Sequence, residues 1–475
     1  MAVFGKSFTS NAHRALADAE LQRALQNVKR GFIMKRETAV EKLPEFDQLR
    51  AEARAIKDHT LGHLDLYLEA YETKVIESGG KVHYAATAEE ARDIVLALCQ
   101  AADGKRVTKG KSMVSEEIGL NAHLEKAGIE VVETDLGEHV VQIRGDRPSH
   151  IIAPIIHLNK EAIEADFRRA HRTLSSTRKL KSVPDLVAEA RTVLRDKFVT
   201  ADVGITGANL LIAETGTSVI VTNEGNGDLT ATLPRVHIVI ASIEKVVPTL
   251  EDAMTILRLL ARSATGQDMT TYTTFTTGPR RPDDPDGPGA YHVVLLDNGR
   301  SEMLGGVFQD MLRCVRCGAC LNHCPVYGAI GGHAYGSVYP GPMGAVLTPA
   351  LQGISHARDL PNASSFCGRC EEVCPMSIPL PKMLREWRMR DYDQGGAPIG
   401  ERIALKVWAY AVRRPRLYHA LSGMMMPLLA WRAGRRGRFT RLPFGASWTK
   451  TRDFPAPQGK TFHQLYAKTR RSAQS

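Results

Sequence analysis

The chain lacks a long apolar run. No stretch reaches the ~20 residues that a helix needs to cross a bilayer, so a membrane-spanning protein is not expected. It also lacks G-x-G-x-x-G and P-loop patterns. A tightly held dinucleotide is therefore not supported, although flavin stays open. The first residues, Met1-Ala-Val-Phe-Gly-Lys-Ser7, show no signal peptide, so a cytoplasmic, reducing setting and free thiols are expected. No nucleic-acid-binding motif accompanies the basic charge, and nucleic acid is not an expected partner. No internal repeat is evident beyond two cysteine segments.

Those segments hold seven of the eight cysteines. The first, Cys314-Val-Arg-Cys317-Gly-Ala-Cys320-Leu-Asn-His-Cys324-Pro, is a complete C-x2-C-x2-C-x3-C-P run. The second is Cys367-Gly-Arg-Cys370-Glu-Glu-Val-Cys374-Pro. The first spacing is the one with which bacterial two-cluster ferredoxins hold [4Fe–4S] cubanes, the fourth cysteine ligating the other cluster. Crossed ligation then assigns Cys314, Cys317, Cys320 and Cys374 to one cluster. The other takes Cys324, Cys367 and Cys370. A full second motif would have cysteine at position 364, where this chain has Ser364. The remaining corner falls to Ser364, to His323 or His333, to water or to a partner protein. A labile [4Fe–4S] cluster with one non-cysteine corner is expected, with [3Fe–4S] as the alternative. Structural zinc, which takes four ligands, fits seven cysteines poorly. Cys99 closes the apolar run Ile94–Leu98 and reads as an inert core residue.

Forty-two residues separate Cys324 from Cys367. Their glycine and proline density, as in Gly328–Gly336 and Tyr339–Gly344, argues against regular helix or strand. That backbone suits either a surface loop or a close wrap around a cofactor. Leu304–Leu312 and Leu380–Arg390 read as helices flanking the cysteines, giving an α-helical ferredoxin-like module.

A length of 475 residues leaves room for two or three domains and 43% apolar residues for sizeable cores. We divide the chain into a helical extension (1–60), an α/β domain (61–300), the cysteine module (301–395) and a basic tail (396–475). In the α/β domain, helix patterns at Ala88–Leu98, Ser115–Ala127 (ended by Gly128) and Leu250–Arg262 alternate with short strand patterns. The strands are Ile129–Glu133, Asn209–Ala213, Ser218–Thr222 and Val236–Ala241, and the alternation predicts a sheet with helices on both faces. Asn223–Gly227 is a pocket edge if it lies beyond a strand's carboxyl end. A tight Asn-Gly hairpin turn is the stronger reading. His237 and His292 read as core histidines, and Arg300 as a surface arginine rather than a partner for a carboxylate substrate.

Residues 401–475 contain sixteen Lys or Arg against Glu401 and Asp453, so the chain's net charge of +10 resides there. The Met-rich run Leu421–Leu429, which Pro427 is expected to break, precedes Arg432, Arg435, Arg436 and Arg438. Apolar surface beside arginines suits an acidic protein partner or an anionic membrane surface. A solvated basic tail packed on its own domain is the plainer alternative.

These residues together resemble the lactate-utilisation protein B family, iron–sulfur subunits of a bacterial L-lactate oxidation system. The resemblance is carried by Lys111-Ser-Met113, Glu133–Gly137, Gly204–Asn209, Ala213–Gly216, Thr222–Asn226, Ile243-Glu-Lys245, Leu296–Arg300 and both cysteine motifs, including serine at 364. It implies an N-terminal domain similar to the sugar-isomerase and CoA-transferase fold and a helical module with two [4Fe–4S] clusters. It also implies two sister subunits, with lactate converted to pyruvate and electrons passed onward. An electron-transfer subunit is the leading expectation. A chain that is itself the dehydrogenase ranks second, since no catalytic base is recognisable, and a redox sensor third.

Overall fold

Ten short strands, most of them rich in Val and Ile, organise the first two-thirds of the chain: β1 (Lys81–Ala85), β2 (Arg106–Lys109), β3 (Glu130–Glu133), β4 (Val203–Gly207), β5 (Leu210–Ile212), β6 (Thr217–Thr222), β7 (Val236–Ser242), β8 (Val246–Val247), β9 (Tyr272–Thr276) and β10 (Ala290–Leu296). The computed structural model describes residues 7–442, 445 and 448–472, without the side chains of residues 29, 30, 471 and 472. Two compact units result, Met1–Asp391 and Tyr392–Ser475.

In the first unit, six strands form a wholly parallel sheet in the order β1-β10-β7-β4-β2-β3. Its central strands are buried except at the first residues of β7 and β10, as expected of parallel strands covered on both faces. Thr87, Ser112, Asp135, Ser182 and Thr249 cap the N-termini of the connecting helices by accepting a backbone N–H. The remaining four strands form a second, mixed sheet, β8-β5-β6-β9. The strand patterns alone predict one sheet. The chain leaves the first sheet after Gly207 because Asn209 turns its side-chain oxygen to the Val221 N–H, 3.0 Å away. It then doubles back at Gly216 (φ +68°), where a Cβ would come within 2.5 Å of the Val75 backbone.

Several local expectations are corrected. Ser115–Ala127 is two helices, Met113–Ile118 and Leu120–Lys126, split at left-handed Gly119. Asn223–Gly227 is not a hairpin turn; it leads from β6 into the helix Asn226–Thr232. Leu304–Leu312 is not an α-helix: turns lead from Leu304 into a 3-10 segment, Gln309–Arg313. The glycine- and proline-rich gap holds a twelve-residue helix, Gly341–Gln352. Pro342 sits in its first turn, where the missing N–H has no helical partner to lose. Gly344 is required because a Cβ would lie 1.7 Å from the Tyr339 carbonyl oxygen. Leu380–Asp393 is helical, as its pattern predicts.

The N-terminal helices clamp the cysteine segment. Arg36 donates to the Val373 carbonyl (3.0 Å), Arg50 to the carbonyls of Cys374 (3.1 Å) and Glu372 (3.2 Å), and Gln22 to that of Ala329 (2.8 Å). The helix Phe46–Gly62 also packs on Leu250–Thr265.

Arg300 is buried, not on the surface, because two carboxylates meet it. It holds Glu117 through both terminal nitrogens (2.6 and 3.0 Å) and lies 3.1 Å from Glu244. Tyr339 donates to Glu117 (2.6 Å), and Arg316 pairs with Glu244 (3.2 Å). Buried Lys57 donates to the carbonyls of Glu244 and of Val246 (3.1 Å). Burial alone would raise both carboxyls. Arg300 overcomes it at Glu117, and Arg300 with Arg316 takes Glu244 down to about 2. The network ties the N-terminal helices, the parallel sheet and the cysteine segment to one another.

The second unit comprises helices Ile399–Val412, Pro415–Ala433 and Phe462–Ser472 and a two-residue ribbon, Arg438–Phe439 against Phe454–Pro455. The helix runs through Pro427 rather than breaking there. Trp408, Met424, Trp431 and Phe462 are exposed. Among the described residues no helix is long and apolar enough to cross a membrane.

Arg300→Met would strand two buried carboxylates, and breaking such a pair costs about 3–5 kcal/mol. Anaerobic denaturant unfolding should show that loss, while Glu130→Gln, which removes a half-exposed pair, should cost less than about 1 kcal/mol. Equal effects would contradict the assigned role of the network.

Candidate cysteine-lined site

The two cysteine segments repeat one backbone shape. Arg316 (φ +60°) and Gly318 (φ +76°) flank Cys317; Phe366 (φ +53°) and Gly368 (φ +80°) flank Cys367. Each glycine starts a one-turn helix, Ala319–Asn322 or Arg369–Glu372. Left-handed φ is uncommon outside glycine, so its recurrence at Arg316 and Phe366 marks a shape imposed by surroundings. Phe366 is held under the Arg388 guanidinium, 4.2 Å from the ring centroid, and Arg316 stands over Tyr339. By this repeat Ser364 occupies the position of Cys314.

Cys314, Cys317, Cys320 and Cys374 line one small apolar cavity, closed by Ile151, Met343 and Leu380 among others. Cys324, Cys367 and Cys370 line another, together with Ser364, Phe366 and three prolines. Each cavity thus draws cysteines from both segments. Burial pushes the thiols of Cys317 and Cys370 up to about 12 and that of Cys374 to about 11, and Cys320 and Cys324 shift the same way; neighbouring thiolates add to the effect. Backbone amides oppose it, among them the Tyr327 N–H at 3.5 Å from Cys324 Sγ. Buried thiols that repel one another's ionised forms call for a compact polycation. Soft sulfur donors with aimed amides suit an iron–sulfur core.

Of the proposed non-cysteine ligands, Ser364 lies in the second cavity's wall, its hydroxyl accepting the Phe366 N–H (3.1 Å). His323 turns Nδ1 to the Ala319 carbonyl (2.9 Å), and neither it nor His333 lines that cavity. His333 instead joins Asp146 and His157. Cys99 is buried among apolar side chains, its thiol pushed up to about 12. His237 is a buried partner of Thr206 (2.8 Å), and His292 of His83 (3.1 Å).

A larger cavity of about 260 Å³ opens at the carboxyl ends of β2, β4 and β7 of the parallel sheet and of β6 of the second. Its walls include Lys111, Asp135, Asn209, Asn223, Glu224, Lys245 and Tyr339. Ile151 and Arg316 belong both to this cavity and to the one lined by Cys314. Lys245 is 6% exposed, and burial, with Arg316, takes its ammonium down to about 8. Burial and Asp135 raise the carboxyl of Glu224, which accepts the Leu136 N–H (3.0 Å). Sequence reasoning marked Asn223–Gly227 but missed the functional placement of Lys245, Arg316 and Ile151; the available signals were Arg316 inside the cysteine motif and Lys245 within the family segment Ile243-Glu-Lys245.

Three family models match in succession: LUD domain over residues 68–296, 4Fe-4S dicluster domain over 310–378, and Lactate utilisation protein B, C-terminal, over 379–471. A protein of Bacillus licheniformis named Lactate utilization protein B is 41% identical over 99% of this chain and 98% of its own length. The chain belongs to the lactate utilisation protein B family. Its Bacillus subtilis member is 40% identical over 97% of this chain and 96% of its own length. An Escherichia coli relative named Uncharacterized electron transport protein YkgF is 40% identical with the same coverage. The crystal structure of a DUF162 family protein from Deinococcus radiodurans matches 49% of this chain and 98% of that one at 15% identity, with a TM-score of 0.28, too slight a likeness to add to the fold. All seven clustered cysteines fall within the dicluster match, which supports iron–sulfur clusters as the group they serve.

Removal of iron with a chelator should leave exposed Cys367 the first thiol to react with iodoacetamide. Cys99 should stay unlabelled, by peptide mass mapping, until the protein is unfolded. Labelling of Cys99 in the native protein at the rate of Cys367 would contradict the core assignment.

Proposed function

We propose that this chain is the iron–sulfur electron-transfer subunit of a system that oxidises L-lactate to pyruvate. The observation that carries the reading is the pair of cysteine-lined cavities, each built from both segments. We assign Cys314, Cys317, Cys320 and Cys374 to one [4Fe–4S] cluster. Cys324, Cys367 and Cys370 go to a second, with Ser364 at its non-cysteine corner. Oxidation of L-lactate to pyruvate releases two electrons and two protons, and two one-electron carriers match that count. The protein's own part is to hold the thiols apart from solvent, aim amides at sulfur and screen the site with Arg36, Arg50 and Arg316. The printed names of the relatives, lactate utilization and electron transport, support the same role.

Several finer points belong to this reading. The α/β part, about residues 61–300, is taken as sugar-isomerase/CoA-transferase-like, and residues 301–395 as a ferredoxin-like module. The helices of residues 1–60 brace the cysteines, and residues 396–475 present Trp408, Trp431 and the arginines to an acidic partner or the inner membrane face of a cytoplasmic complex. Two sister subunits complete the complex.

Protein purified without oxygen should contain about eight iron atoms per chain and, when reduced, show two interacting S = 1/2 signals. Cys374→Ser should remove or alter one signal and Cys370→Ser the other. Ser364→Cys should make the second cluster more resistant to chelation. Colourless, iron-free protein, or the same signal lost in both cysteine variants, would overturn the assignment.

A further inference from the structure

We infer that the cavity of about 260 Å³ at the strand ends is a binding site for a small monocarboxylate that also carries a hydroxyl or oxo group, with Lys245 as the partner of its carboxylate. That the ligand lies beside an electron acceptor rests on the function proposed above; the anion site does not.

Lys245 is the deciding residue. Its side chain is more than nine-tenths buried in the cavity wall, yet no hydrogen bond or ion pair to a described residue engages its ammonium. A buried charge with no bonded partner is costly, and the nearby Glu244 and Cys314 offset only part of that cost, which burial and Arg316 outweigh. The adjacent Glu244 serves only in part, because its two oxygens face Arg300 (3.1 Å) and Arg316 (3.2 Å). A ligand carboxylate in the cavity would supply the missing counter-charge. The position agrees: in α/β sheets ligands bind beyond the carboxyl ends of strands, and here Gly110 follows β2, Gly207 ends β4 and Lys245 follows β7.

Size and charge narrow the ligand. At about 260 Å³ the cavity falls just below the about 300–1,000 Å³ of pockets for drug-sized molecules, so a small ligand fits it. Asp135 and Glu224 also line it. They disfavour a second carboxylate and offer acceptors for a hydroxyl. Asn209 also lines the cavity, with its side-chain oxygen accepting the Val221 N–H, so a donor to an oxo or hydroxyl oxygen would have to be its Nδ2. Arg316 separates this ligand from Cys314, to whose carbonyl it donates (3.4 Å).

The test is calorimetric titration of anaerobically purified protein with L-lactate, pyruvate and malonate, comparing wild type with Lys245→Met at matched iron content. Binding of either monocarboxylate, malonate binding more weakly, and a loss of about thirtyfold or more in the variant are expected. Should the variant fold poorly, reductive methylation of wild-type protein, read by mass spectrometry, replaces it; L-lactate or pyruvate should protect Lys245. Unchanged affinity in the variant, no heat with any ligand, or no protection would overturn the site. So would a shift in the cluster's reduction potential with binding intact, which would make Lys245 a charge partner of the cluster alone. Iron content and the reduced-state spectrum report separately on the electron-transfer reading, so either can fail without the other.

Discussion

Six side chains brought together from distant parts of the chain hold the first unit in register. Lys57 comes from an N-terminal helix, Glu117 from a helix after β2, Glu244 from the end of β7, Arg300 from the turn after β10, and Arg316 and Tyr339 from the cysteine segment. Arg300 and Glu117 are fully buried and Glu244 is 1% exposed. Such charges persist away from water only when paired and hydrogen-bonded, so the geometry is demanding. A displaced segment would leave an ion without its partner. This constraint sets the strand ends and the first cysteine loop side by side, and it gives Arg316 both a guanidinium partner and a left-handed backbone.

The same constraint explains what could be read from residue order and what could not. The spacing of seven cysteines is local, and it announced two groups of sulfur ligands. β3, β5, β6 and β7 were legible because short β-branched runs have few other uses. Arg300 was not legible, since only Glu117 and Glu244, distant in sequence, turn a surface residue into a buried one. The Gly341–Gln352 helix was hidden because Pro342 reads as a breaker unless it is known to sit in a first turn. The split into two sheets depends on Asn209 and Gly216, whose meaning comes from the segments they touch. The clamp by Arg36 and Arg50 also depended on contacts across more than 300 positions.

Function follows from adjacency. The strand-end cavity and the Cys314 cavity share Ile151 and Arg316, so a ligand and a sulfur-bound group would be neighbours across one arginine. The N-terminal helices reach the far side of the cysteines, where they bond the carbonyls of Glu372, Val373 and Cys374 and hold the second segment against the first. The basic unit that follows has little core of its own. Among its described residues Ala433, Phe439 and Thr449 are buried, while Trp408, Trp431, Trp448, Met424 and Met425 are exposed.

The most direct test of the central claim is an anaerobic crystal structure with anomalous diffraction recorded at the iron edge. The account predicts two separate iron clusters, one bonded to Cys314, Cys317, Cys320 and Cys374, the other to Cys324, Cys367 and Cys370. A single cluster, a zinc ion, or ligands drawn from one cysteine segment alone would contradict it.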